Sequence, residues 1–158
     1  VALSHGRVVT ILSAGNDAAK SFTVTGTDVN GDAQTESITG ANAGTATGTK
    51  YFKTISGISA VGNPAGNVSA GVNGSAADVI FAGRSRLKGI YLTSTATAGT
   101  VDFLNTSPSG TSIMGLSSVG DADATRDVVI PEEGVIFTAG IYIQYTVSTF
   151  LTMTVFHA

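Results

Sequence analysis

Apolar residues in this chain alternate with polar ones far more often than they recur at helical spacing. Phe22 and Val24 alternate with Ser21, Thr23 and Thr25, while Ile141, Ile143, Tyr145 and Val147 take every second position near the other end. A period of two predicts strands with one apolar face. Strands are predicted over Arg7 to Leu12, Ser21 to Thr27, Gln34 to Thr39 and Lys50 to Ser59. A later group runs over Arg86 to Thr95, Thr100 to Asn105, Ser112 to Leu116 and Asp127 to Ile130, then Val135 to Phe137, Ile141 to Val147 and Phe150 to Phe156. Gly, Thr, Ser and Asn punctuate the chain too often for a long helix. The expected fold is all-β, as two small antiparallel β-sandwich or jelly-roll-like modules.

The stretch from Gly62 to Arg84 is rich in Gly, Ala, Asn and Ser. It predicts a boundary, with a linker near Asn73 to Ala77 and modules at residues 1–77 and 78–158. Val68 to Val72 would be a last short strand of the first module. No internal repeat relates the two halves.

Two local patterns allow finer expectations. In the hairpin around Asn30-Gly31, a two-residue turn would place Ile38 on the polar side of Phe22 and Val24. A three-residue loop, Val29-Asn30-Gly31, pairs Phe22 with Ile38 and leaves Gly31 the left-handed conformation. It also sets Asp28 opposite Asp32, an unfavourable like-charge pair unless solvated or neutralised. At the chain's end, Leu151, Met153 and Val155 form one apolar face, with Phe150 and Phe156 on the other. Such a strand is either central and covered on both faces or part of a subunit contact.

Composition narrows the function classes. Of 158 residues, 42% are hydrophobic and only 12% charged, so the chain can order a core but has little charge to spread over a solvated surface. A net charge of -3 gives no electrostatic basis for nucleic-acid binding. No apolar run reaches the roughly 18 residues of a membrane-spanning helix. The absence of Cys removes disulfides and thiolate metal sites. Two half-length modules without disulfides would need to dock or oligomerise. The opening VALSHGRVVTIL carries neither a basic leader nor a long apolar segment, and its start at Val1 leaves earlier removal of a leader open.

Candidate chemistry is sparse. Asp28, Asn30 and Asp32 suggest a calcium loop, but glycine falls at its fourth position instead of its sixth, and Thr39 stands where a bidentate Glu belongs. A polar hairpin tip explains them better. Asp121, Asp123 and Asp127 lie in a polar connection, and Glu132 and Glu133 are adjacent, so on a strand they would point apart. His5 and His157 sit near opposite ends, with no nucleophile elbow, Walker loop or dinucleotide fingerprint between them. No catalytic or cofactor-binding residue is assigned. Arg84, Arg86 and Lys88 would share one face of an extended segment, either docking on an acidic partner or protecting an edge strand by charge. Asn67, Asn73 and Asn105 head glycosylation triplets that matter only in a eukaryotic secretory setting.

The run FTVTGTDVNGDAQTESITG, followed by NAGTATGTKYFKTISGISA, resembles segments of structural proteins of tailed bacteriophages. RLKGIYLTS, AGTVDFLNT, VVIPEEGVIF and AGIYIQYT are similar to a β-rich module of such virion proteins. Together these cover most of the chain. The resemblance implies a non-enzymatic virion component, foremost a capsid decoration or cement protein on the capsid exterior that bridges major capsid subunits. By analogy it would be a homo-oligomer, often a trimer. A tail, collar or head-fibre component and a bacterial Ig-like adhesin module are the alternatives. The resemblance brings no catalytic residues and no cofactor. Partner-contact candidates are Phe150 and Phe156, together with Arg84, Arg86 and Lys88.

Overall fold

Alternation of apolar and polar residues produces twelve strands and no helix in the computed structural model, which describes residues Val1–Ala158. The fold is all-β, and its registered strand pairs are antiparallel. The chain divides into two compact units, Val1–Ala76 and Ala77–Ala158.

The first unit contains β1 (Ala2–Ser13), β2 (Ser21–Thr27), β3 (Ala33–Thr39), β4 (Thr45–Val61) and the part of β5 (Val68–Phe81) up to Ala76. Hydrogen bonding runs β3-β2-β4-β1-β5. The 17-residue β4 serves two neighbours in succession. Its first half pairs β1 from Leu12↔Thr45 to Ala2↔Thr54, and its second half pairs β2 from Thr27↔Thr54 to Ser21↔Val61. A register shift between Thr25 and Gly26 marks the change. A side chain at Gly26 would overlap the Thr54 carbonyl, so only glycine lets the two backbones close there. One sheet is thereby folded over a core of Val9, Ile11, Phe22, Val24, Ile38 and Phe52.

The fold leaves β3 beside the first half of β4 without a ladder between them, and side chains fill the gap. Gln34 Nε2 donates to the Tyr51 carbonyl at 2.5 Å. Glu36 Oε1 accepts from the Thr49 amide at 2.6 Å, the Thr49 hydroxyl at 2.9 Å and the Lys50 amide at 3.2 Å. Lys50 Nζ returns to the Thr35 carbonyl at 2.7 Å. These bonds satisfy backbone groups that a free edge would expose.

The hairpin takes the three-residue register: Phe22 faces Ile38, Thr27 faces Ala33, and Gly31 has φ +92°. The predicted linker, in contrast, is strand. Asn73 to Ala77 lies inside β5, and the unit boundary falls within that strand. Its small residues carry no apolar alternation, and burial is reached only at Ala76 and Ala77. Backbone pairing beside β1 and the Arg7 guanidinium on the Asn73 carbonyl order it instead.

At one end of this unit, Asp17 ties three loops together. It is fully buried. Its amide donates to the Ala41 carbonyl at 3.0 Å, its carbonyl accepts from Lys20 at 2.8 Å, and Oδ1 accepts from the Ala65 amide at 2.7 Å. Glycine at positions 15 and 40 permits this approach, since a Cβ at Gly40 would sit 2.6 Å from the Asp17 carbonyl oxygen. Asp17→Ala removes the side-chain bond that holds the Ala65 amide and empties a fully buried position, and is expected to cost about 1–2 kcal/mol in urea denaturation. Asp17→Asn, which keeps an oxygen acceptor, should cost clearly less.

The second unit contains β5 from Ala77, then β6 (Ser85–Ser94), β7 (Gly99–Asn105), β8 (Ser112–Ser118), β9 (Thr125–Val129), β10 (Val135–Phe137), β11 (Ile141–Thr146) and β12 (Phe150–His157). One layer runs β5-β11-β7-β8; in the other, β6 has β12 on one side and β9 and β10 in succession on the other. Leu87, Ile90 and Leu92 of β6 meet Val101, Phe103, Ile141 and Ile143 of the facing layer, with Phe137 between neighbours of both. This is a β-sandwich; the jelly-roll alternative gains no support from the strand order.

Two expectations for β12 change. It pairs only β6, so it is an edge strand and not a doubly covered central one. A register shift between Phe150 and Thr152 also resets its faces. Phe150 joins Met153 and Val155 against the core, whereas Leu151 is 58% exposed and Phe156 is 53% exposed. One extra residue in the ladder is enough to exchange Phe150 and Leu151.

Candidate functional site

Directly opposed residues of antiparallel strands share a face, so the register of β6 with β9 and β12 defines the surface that the small sheet turns away from its core. One row is Val129, Gly89 and Phe156; the next is Asp127, Tyr91 and Thr154; a third is Thr125, Thr93 and Thr152. Val129 is 76% exposed and Tyr91 41%. Gly89 carries no side chain between its two apolar neighbours, and Phe156 Cδ2 lies 3.6 Å from where a Cβ would project. The Phe156 ring therefore covers the glycine backbone while leaving half of itself to solvent. Beside this face runs the free edge of β12, whose sequence FLTMTVFH has no Asp, Glu, Lys, Arg or Pro. An edge without charge or proline lacks the usual protection against pairing with another strand.

The basic stripe is divided by the structure. Arg86 Nη1 donates to the Glu133 carbonyl at 3.1 Å and lies 3.7 Å from the Glu133 carboxylate. Lys88 Nζ donates to the Glu132 carbonyl at 2.9 Å. Both hold the Pro131–Gly134 turn, which Gly134 closes by donating to the Pro131 carbonyl at 3.2 Å. Glu132 at φ +57° is in the left-handed region, so the two cations support a turn that is costly for its residues. Arg84 is exposed and precedes β6. The three cations thus do not form one free strip.

At the hairpin tip, Asp28 Oδ1 accepts from the Asn30 amide at 2.8 Å and the Asp32 amide at 2.9 Å. The carboxylate closes its own turn, which offsets the like-charge pairing with Asp32. Asn30 and Asp32 are exposed beside it. No group of three or more His, Asp or Glu side chains is arranged to hold a metal ion. Asp121 and Asp123 belong to a turn bonded to Ser94, while Asp127 stands on β9 across from Tyr91.

Sequence reasoning missed one pairing: His157 Nδ1 lies 3.4 Å from the Ser85 hydroxyl. The contact does not resemble an activated nucleophile. Ser85 is buried, its hydroxyl donates to the Ala158 carbonyl at 3.1 Å, and the imidazole faces the Phe81 ring at 5.3 Å instead of a carboxylate. His5 lies in the first unit and His157 in the second. Neither histidine could have been tied to Ser85 without knowing that β12 pairs β6.

The second unit therefore exposes one apolar row, flanked by Tyr91, Asp127 and threonines, and an uncharged strand edge. No protein-family model matches this chain, and no curated protein or solved structure matches it significantly.

Proposed function

We propose that this chain is a non-enzymatic structural protein of a tailed-phage particle, a decoration protein on the capsid exterior that binds and bridges major capsid subunits. The observation that carries the reading is the exposed apolar row Val129–Gly89–Phe156, with Tyr91 in the next row and Leu151 on the adjoining edge. Fully burying a side chain of this size stabilises by about 1.5–3 kcal/mol, so covering several half-exposed ones supplies the energy of a specific contact. Few charges need desolvation on that face. The strand segments that resemble tailed-phage structural proteins add the particle to the binding surface.

Two measurements test the reading. Antibody against this chain should label the shell of purified particles, and its mass ratio to the major shell protein should correspond to a regular lattice. Label confined to the tail, or absent from particles, overturns the capsid assignment. Phe156→Asp should leave far-UV circular dichroism and melting unchanged within a few degrees, because the ring is half in water already. Its binding to shells should fall at least tenfold, about 1.4 kcal/mol. Unaltered binding would remove this face from the contact.

A further inference from the structure

We propose that the free edge of β12 pairs with β12 of a second copy of this chain, antiparallel across a two-fold axis that passes at Thr154. The inference names a neighbour for the edge, and is separable from shell binding by the apolar face.

Each free edge differs in what it would meet if it faced itself. A strand paired with its own copy across a two-fold places its central residue opposite itself. β12 has register shifts between Phe150 and Thr152 and between Phe156 and His157, so its regular stretch is Thr152 to Phe156, centred on Thr154. An antiparallel register must keep core-facing residues opposite core-facing ones. Centring on Thr154 does so. Met153 then meets Val155, both at the rim of the core, and Thr152 meets Phe156 on the outer side. Thr154 meets Thr154, a favourable cross-strand pair. No charged side chain is brought to face its own copy.

The other strands of five or more residues with a single ladder partner suit their own image less well. β3 is centred on Glu36, so its copy would oppose two carboxylates, and Glu36 is already bonded to β4. β9 is centred on Asp127, with the same like-charge conflict. β8 has an extra residue at Ile113, so its regular stretch is Met114 to Ser118, centred on Leu116. Its image would set Gly115 against Ser117 and Met114 against Ser118, which packs less than the Met153–Val155 and Thr152–Phe156 pairs of β12. β12 is the edge whose chemistry tolerates, and gains from, its own image. Pairing would join the two small sheets into one and set their Phe156–Tyr91 faces side by side, doubling the surface available to a shell.

The chain has no cysteine, so single introduced thiols report contacts without background. Thr154→Cys should give a covalent dimer with a short bis-thiol linker, several-fold above Ser117→Cys on exposed β8. Thr152→Cys alone should not, because its image lies four residues away, roughly 14 Å at 3.4 Å per residue. Mixed with Phe156→Cys it should cross-link, since those positions face each other in this register. Ser94 bonds toward Ala124 and Thr95 toward Thr149, so alternation turns the Thr154 amide to Tyr91 and leaves the Met153 and Val155 amides on the free side. Val155→Pro removes one of those free-side donors and should shift the sedimenting species from dimer to monomer. A wild-type protein that sediments as a monomer at high micromolar concentration, with Thr154→Cys no better than Ser117→Cys, overturns the proposal. If that monomer still binds shells in a Phe156-dependent way, the edge inference fails and the decoration reading stands; a β12 dimer that binds no shell gives the reverse.

Discussion

Phe103→Ala is expected to destabilise the second unit by about 3–5 kcal/mol, the largest effect of any single truncation considered. Phe103 is fully buried on β7, faces Ile143 of β11 on one side and Met114 of β8 on the other, and packs in the cluster with Leu87, Ile90 and Leu92. Removing its ring deletes contacts to both layers at once, and the surrounding ladders hold the cavity open instead of letting it collapse. Urea denaturation followed by circular dichroism measures the loss, and hydrogen exchange should show the fallen protection in residues 77–158. A change below about 1 kcal/mol would mean that the layers close around the gap, contrary to a tightly packed sandwich. Phe156→Ala is the matched control, because its ring already stands half in solvent.

Gly26→Ala should cost about 3 kcal/mol or more, although it adds a single methyl group. The new Cβ would collide with the Thr54 carbonyl oxygen and lie 2.9 Å from its carbon and 3.1 Å from Ile55 Cα. All three are backbone atoms where β4 passes from β1 to β2, so no rotamer change relieves the clash. Exchange protection at the Gly26↔Ile55 end of the β2–β4 ladder should vanish first. Gly74→Ala on β5 is the contrast, since a Cβ there meets nothing within 4 Å. Equal effects from the two substitutions would show that glycine at position 26 is not needed for close approach.

The sequence was most legible where two independent constraints agreed. Around the β2–β3 hairpin, Asn30-Gly31 marks the turn, side-chain parity selects the three-residue loop over the two-residue one, and Phe22 faces Ile38 as parity requires. In β11 the alternation located the strand and its core residues Ile141 and Ile143, but Tyr142 between them is buried as well. β5 was legible only at its start. The short strand expected over Val68 to Val72 is there, but its continuation through Asn73 to Ala77 reads as a linker, because small residues leave no apolar periodicity on a strand ordered by backbone bonds. In β12 the alternation was visible but the extra residue before Thr152 was not, and that one residue exchanged the places of Phe150 and Leu151. The exposed face was hidden for a related reason. Val129, Gly89 and Phe156 are far apart in sequence and become a row only through two ladders to β6. Arg86 and Lys88 read as a surface stripe because a sequence does not reveal which carbonyls a cation will reach.

β4 belongs to both layers of the first unit, and this has a consequence for how that unit comes apart. Two sheets that meet only through side chains can slide or part while each keeps its own ladder. Here the layers share a continuous backbone, so parting them means tearing one ladder of β4 or the other. The Gln34 and Glu36 bonds close the opposite side of the gap. A unit bound at both seams has no half that can open alone, and its residues should exchange their amide hydrogens as a single cooperative block.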